Sequence, residues 1–114
     1  MELDLSNNLL IIYLSISGNQ LTALDLSNHL ALRWILVNNN QLTVLELPNT
    51  SVLEWINADS NQLTALNVSN NPNLGELSIR YNYMLMPDDV VGWDYIFDYV
   101  DEFFASNRFF FHPQ

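Results

Sequence analysis

The chain has no cysteine, no lysine and only three glycines among 114 residues. Without cysteine there are no disulfides and no thiol chemistry, and the redox compartment is left open. So few glycines cannot build a phosphate cradle. No run approaches the roughly 18 apolar residues of a membrane-spanning helix. Arg33, Arg80 and Arg108 are the only strong bases, set against 13 acids, for a formal charge of −10. Nucleic-acid binding needs a basic footprint, and this balance is the opposite. An anionic membrane surface is disfavoured for the same reason, whereas a basic protein partner would be welcome. The catalytic motifs are missing too: there is no H-E-x-x-H, nucleophile elbow or cysteine nucleophile. His29 and His112 read as lone residues in a turn and a tail. The expectation is no catalysis, cofactor or metal. Met1-Glu2-Leu3-Asp4 has neither the basic segment nor the cleavage site of a signal peptide. The chain is therefore expected to be cytoplasmic, or a piece of something longer.

What the chain does have is a repeat. Leu32-Arg33-Trp34-Ile35-Leu36-Val37-Asn38-Asn39-Asn40-Gln41-Leu42 reads L-x-x-L-x-L-x-x-N-x-L, and the frame recurs every 21 residues from Ile11, Leu32, Leu53 and Leu74. The inner apolar positions are Leu14, Ile35, Ile56, Leu77 and then Ile16, Val37, Ala58, Ile79. The asparagine stands at Asn19, Asn40, Asn61 and Asn82. A unit of this length supplies a short strand and cannot bury its apolar edge alone. Stacked units share one continuous core. The alternation at Ile35-Leu36-Val37 is the strand period, and the asparagine amide can satisfy backbone groups in the turn that follows. A second L-x-x-L-x-L lies inside each unit, as in Leu21-Thr22-Ala23-Leu24-Asp25-Leu26, at spacings of 10 and 11. The returning half should therefore be extended as well.

This nested pattern resembles the bacterial leucine-rich repeats of the IRREKO type. It is also similar to the 21-residue repeats of internalin J-like surface proteins. The resemblance covers residues 3 to about 86. It departs from those families in lacking their third-position cysteine and an N-terminal cap domain. It implies a curved solenoid used for protein recognition and carries over no binding residues. The fold expected is thus a β-rich solenoid over residues 1–86, with short parallel strands on both sides of each coil. An amphipathic capping helix should cover 87–106, and an aromatic tail 107–114. The helix is read from a possible N-cap at Asp88 and the stripe Val90, Trp93, Phe97, Val100, Phe104. Residues 1–10 enter in mid-unit, so the first coil should expose bare edges that invite self-association.

Repetition stacks surface positions into columns. One column is Tyr13, Trp34, Trp55, Glu76, and the next is Ser15, Leu36, Asn57, Ser78. Beyond them lie Ser17, Asn38, Asp59, Arg80 and Gly18, Asn39, Ser60, Tyr81. Aromatic side chains in line suit recognition, although they could equally pack on one another to stiffen the sheet. The candidate partner-binding set is Tyr13, Trp34, Leu36, Trp55, Asn57, Asp59, Arg80 and Tyr81. Arg33 with Glu54 and Asp59 with Arg80 should form exposed ion pairs. On the return side Asp4, Asp25, Glu46 and Asn67 share a column. Calcium could relieve the stacked charge, but a solvated edge is the simpler reading.

Overall fold

The computed structural model describes residues 3–83, 89–92 and the backbone of 109–112. Over these residues the chain is a parallel β-solenoid of about four coils. Each coil contributes one strand to a long sheet: β1 (Tyr13–Ser15), β3 (Trp34–Leu36), β5 (Trp55–Asn57) and β7 (Glu76–Arg80). The return side carries β2 (Ala23–Asp25), β4 (Val44–Glu46) and β6 (Leu66–Asn67). Pairing is parallel and advances by one repeat per strand: Tyr13 opposes Trp34, Trp34 opposes Trp55, and Trp55 opposes Glu76. On the return side Asp25 opposes Glu46. Both halves of the unit are therefore extended, as the nested motif requires.

The middle residue of each of the first five strands points inward and is buried between two outward neighbours. Stacking gives continuous apolar columns. Leu32, Ile35, Val37, Leu53, Ile56 and Ala58 are fully buried, and Leu14 on the first coil is nearly so. Each buried aliphatic side chain contributes about 1.5–3 kcal/mol.

The polar interior is equally periodic. Asn61 Nδ2 donates to Ala58 O at 3.1 Å in its own coil and to Val37 O at 3.1 Å in the coil before. Its Oδ1 accepts from Leu42 N–H at 3.0 Å. Asn40 and Asn82 repeat the set, with Oδ1 accepting from Leu21 N–H at 3.2 Å and Leu63 N–H at 3.0 Å. Ile16, Val37 and Ala58 carbonyls each accept from two asparagines one repeat apart. Asn19, on the first coil, is exposed and bonds only within its own turn, to Ile16 O and Ser17 O.

Two further columns hold the corners. Gly18, Asn39, Ser60 and Tyr81 all adopt positive φ, between 58° and 73°. The turn after each strand therefore demands a left-handed residue whatever its side chain. In the return half Asp4, Asp25 and Asn67 each accept the N–H two residues on, from Ser6, Ser27 and Ser69, at 2.9 Å. Hydrogen bonds from the Ser6 and Ser27 side chains, and then from their N–H groups in these turns, hold the Asp4 and Asp25 carboxyls below the usual carboxylate range. The coil of β3 and β4 has Glu46 at this position, followed two residues later by Pro48, which has no N–H to give.

Of the helix expected over 87–106, only residues 89–92 lie within the described part, and there Val90–Val91 form strand β8. It pairs in parallel with β6, Leu66 opposing Val90 and Asn67 opposing Val91. Paired β-branched valines favour the strand, and Gly92 follows at φ +90°, outside helical space. At residues 90–91 the stripe is therefore strand, and Gly92 is not helical. Trp93, Phe97, Val100 and Phe104 lie outside the described residues. In the tail Phe109–His112 form β9, parallel to β7 and the last strand of the long sheet, in the order β1-β3-β5-β7-β9.

Candidate functional site

The outward face of the long sheet gathers most of the sequence-predicted site. Tyr13 is exposed, while Trp34 and Trp55 are half-buried in the same column. The Tyr13 and Trp34 ring centroids are 6.5 Å apart with planes at 53°. That tilted geometry is favourable for aromatic pairs. Leu36 and Asn57 form the adjacent column, in register and half-buried. The strand backbone fixes where these side chains leave the sheet, since every strand repeats the register of its neighbour.

The loop-side candidates are placed differently. Asn57 Oδ1 accepts Asp59 N–H at 3.0 Å. Asp59 Oδ1 accepts Ser78 Oγ–H and Arg80 N–H, both at 2.7 Å. Asp59 thus meets Arg80 through the main chain, and this oxygen stitches two coils together. Arg80 and Tyr81 are exposed at the end of β7, Tyr81 with φ 60°. A bulky residue there is held in a conformation that costs about 1 kcal/mol or more.

The Arg33–Glu54 pair is formed as expected. Arg33 Nε and Nη2 donate to the two Glu54 carboxylate oxygens, each at 3.1 Å. Both side chains are nearly half exposed, 47% and 43%, so the pair contributes roughly 0–1 kcal/mol. Arg33 also has a second role, which its column position alone does not reveal. The Arg33 guanidinium carbon lies 5.0 Å from the Trp34 ring centroid, in cation–π contact. An arginine beside a tryptophan, with an acid one repeat on, was the available signal.

Other polar groups are structural in position. His29 is 4% exposed, and its Nε2 lies 3.0 Å from Leu5 O, a carbonyl that can only accept. It spans two coils much as the asparagines do. Asn71 sits two repeats further on and donates to Pro48 O at 2.8 Å. Among the described residues no three or more His, Asp or Glu side chains are grouped to hold a metal ion. None of their helices is long and apolar enough to cross a membrane. Neither protein-family models, nor curated proteins, nor solved structures give a match to this chain.

Proposed function

We propose that this protein is a non-catalytic protein-recognition module that binds through the strand face centred on Trp34 and Trp55. The observation that carries the reading is the outward column Tyr13–Trp34–Trp55 on a hydrogen-bonded sheet. Half-buried aromatics on a rigid backbone lose little conformational freedom on binding, and Trp and Tyr dominate the energetics of protein interfaces. We read the array itself as a leucine-rich repeat of the bacterial 21-residue type. The leucine frame filling the core and the asparagine at one fixed position support that kinship.

The test uses binders selected against the intact chain from a displayed peptide library. The double variant Trp34→Ala/Trp55→Ala should lose affinity by at least about 30-fold, the scale of a hot spot of roughly 2 kcal/mol. Unfolding midpoints measured alongside separate lost contacts from lost fold. Binders that hold the double variant as tightly as the parent would refute the reading.

A second reading, association through the first coil, is favoured by a specific feature. Leu3, Leu9, Leu10 and Ile12 are exposed together, Leu10 at 87%. Neighbouring apolar residues left in water mark an association surface. Under this reading sedimentation velocity should show concentration-dependent dimers that Leu10→Ser abolishes. A monomer at every concentration would discard it.

A further inference from the structure

The strand face already binds one cation of its own, and the manner of that binding points to another site. Arg33 is gripped by the Glu54 carboxylate one coil on and lies against the Trp34 ring in the next column. Two columns are involved. The first runs Ile12, Arg33, Glu54, Gly75, joined by Arg33 N–H to Ile12 O at 2.8 Å, Glu54 N–H to Arg33 O at 2.9 Å and Gly75 N–H to Glu54 O at 2.8 Å. The second runs Tyr13, Trp34, Trp55, Glu76. Along the first column the charge goes positive at Arg33, negative at Glu54, and then stops at a residue with no side chain.

Gly75 leaves a notch. Its backbone keeps the hydrogen bonding of Arg33 and Glu54, yet it is exposed, and a Cβ there would meet only Glu54 O, at 3.8 Å. The notch is flanked by Glu54 in the preceding coil, by Trp55 diagonally across the columns and by Glu76 next in the chain. Glu54 is already neutralised by Arg33. Glu76 is exposed and forms no ion pair among the described residues. An aromatic ring, a carboxylate with no ion pair among the described residues and space above a glycine are what Arg33 would need if it came from outside.

We propose that the notch over Gly75 receives an arginine side chain from the protein partner. Its guanidinium would lie against Trp55 and pair with Glu76, extending the alternating column begun by Arg33 and Glu54. This rests on the strand-face reading and names the partner's chemistry. A planar guanidinium fits better than an ammonium because it can stack on the ring and bond the carboxylate at once. A neutral sugar could use the ring but would leave the carboxylate unmatched.

The experiment titrates the intact 114-residue, ¹⁵N-labelled chain with the acetylated, amidated peptide Gly-Gly-Arg-Gly-Gly, reading the Trp55 indole N–H resonance. The same peptide with neutral citrulline in place of arginine is the control. The arginine peptide should shift the Trp55 resonance in a saturable way. Citrulline in the peptide, or Glu76→Gln in the protein, should each weaken binding about two- to fivefold, the range expected for one exposed ion pair. Added salt should weaken it further. Gly75→Arg, whose Cβ would meet only Glu54 O at 3.8 Å, should fill the notch from within and remove the preference for arginine. Absence of a Trp55 shift at millimolar arginine peptide would overturn the proposal. So would equal binding of the two peptides, or unchanged binding by Gly75→Arg. In each of those cases the strand face stands or falls separately, on the Trp34→Ala/Trp55→Ala result.

Discussion

Replacing Asn61 by alanine is expected to lower the unfolding free energy by about 3–5 kcal/mol, a large part of a typical domain's stability. The side chain is 5% exposed and serves two coils at once. Its loss strands the buried Leu42 N–H, whose acceptor is Asn61 Oδ1 at 3.0 Å. It also removes one of the two donors from the Val37 and Ala58 carbonyls. A buried donor left without an acceptor costs about 1–3 kcal/mol by itself, and the lost carbonyl bonds add to that. Asn61→Asp, nearly the same shape, should be no better, because it turns an amide donor into an anion facing carbonyl oxygens. Asn19→Ala is the internal comparison. Asn19 is exposed and bonds only within its own turn, so the expected loss is about 1 kcal/mol or less. Urea unfolding of the three variants decides the matter. Equal midpoints for Asn19→Ala and Asn61→Ala would mean that the asparagines act within their turns and do not join coil to coil.

Gly92→Ala carries the second large effect, about 2–4 kcal/mol, and for a different reason. A Cβ at this position would lie 2.5 Å from Ser69 Cα and 2.6 Å from Ser69 N. Both are backbone atoms of the β6 corner and cannot rotate away. The φ of +90° adds strain for any residue with a side chain. The chain's cheapest response is to lift β8 off β6. That breaks Val68 N–H to Val91 O, 2.8 Å, and exposes Val90, which is 1% exposed when docked. Amide exchange should report this locally, with Val68 losing protection while Ile35 and Ile56 keep theirs. If Gly92→Ala unfolds like the parent and Val68 stays protected, the close approach to Ser69 is not a constraint.

The coil-to-coil ties also bear on the strand face proposed above for recognition. The solenoid joins only neighbours, so the precision of the aromatic column depends on the coil-to-coil ties directly beneath it. Asn40 and Asn61 bind the turns that leave β3 and β5, the strands carrying Trp34 and Trp55. Weakening that ladder should therefore blur the face before it dissolves the fold.

Much of this was legible in the residues. The frame from Ile11 to Asn82 sets which side chains face inward, because strand period and repeat length together leave one consistent register. The buried set Leu32, Ile35, Val37, Leu53, Ile56 and the pairing of Tyr13 with Trp34 follow from it directly. So does the Arg33–Glu54 ion pair, whose partners sit one repeat apart. The positions that escaped sequence reading depend on where a side chain turns after leaving the backbone. Asp59 stood in register with Arg80, but its carboxylate turned to Ser78 Oγ and the Arg80 main chain. His29 looked like a turn residue, yet it is buried against Leu5 O in the coil before.

The C-terminal side marks the boundary most clearly. An apolar stripe beginning at Val90 suggested a helix, because spacing within one segment is all that periodicity measures. Val90 and Val91 instead complete a strand beside β6, and Gly92 is set by its contact with Ser69. No count along the segment could reveal a neighbour 23 residues earlier in the chain. The sequence alone determined the coil, its register and its columns, because those are local and repeated. The tertiary structure decided what happens where the repetition ends, because β8 and β6 belong to segments that share no period, and which side chains turn toward another coil, because a column fixes where a side chain leaves the backbone and not its rotamer.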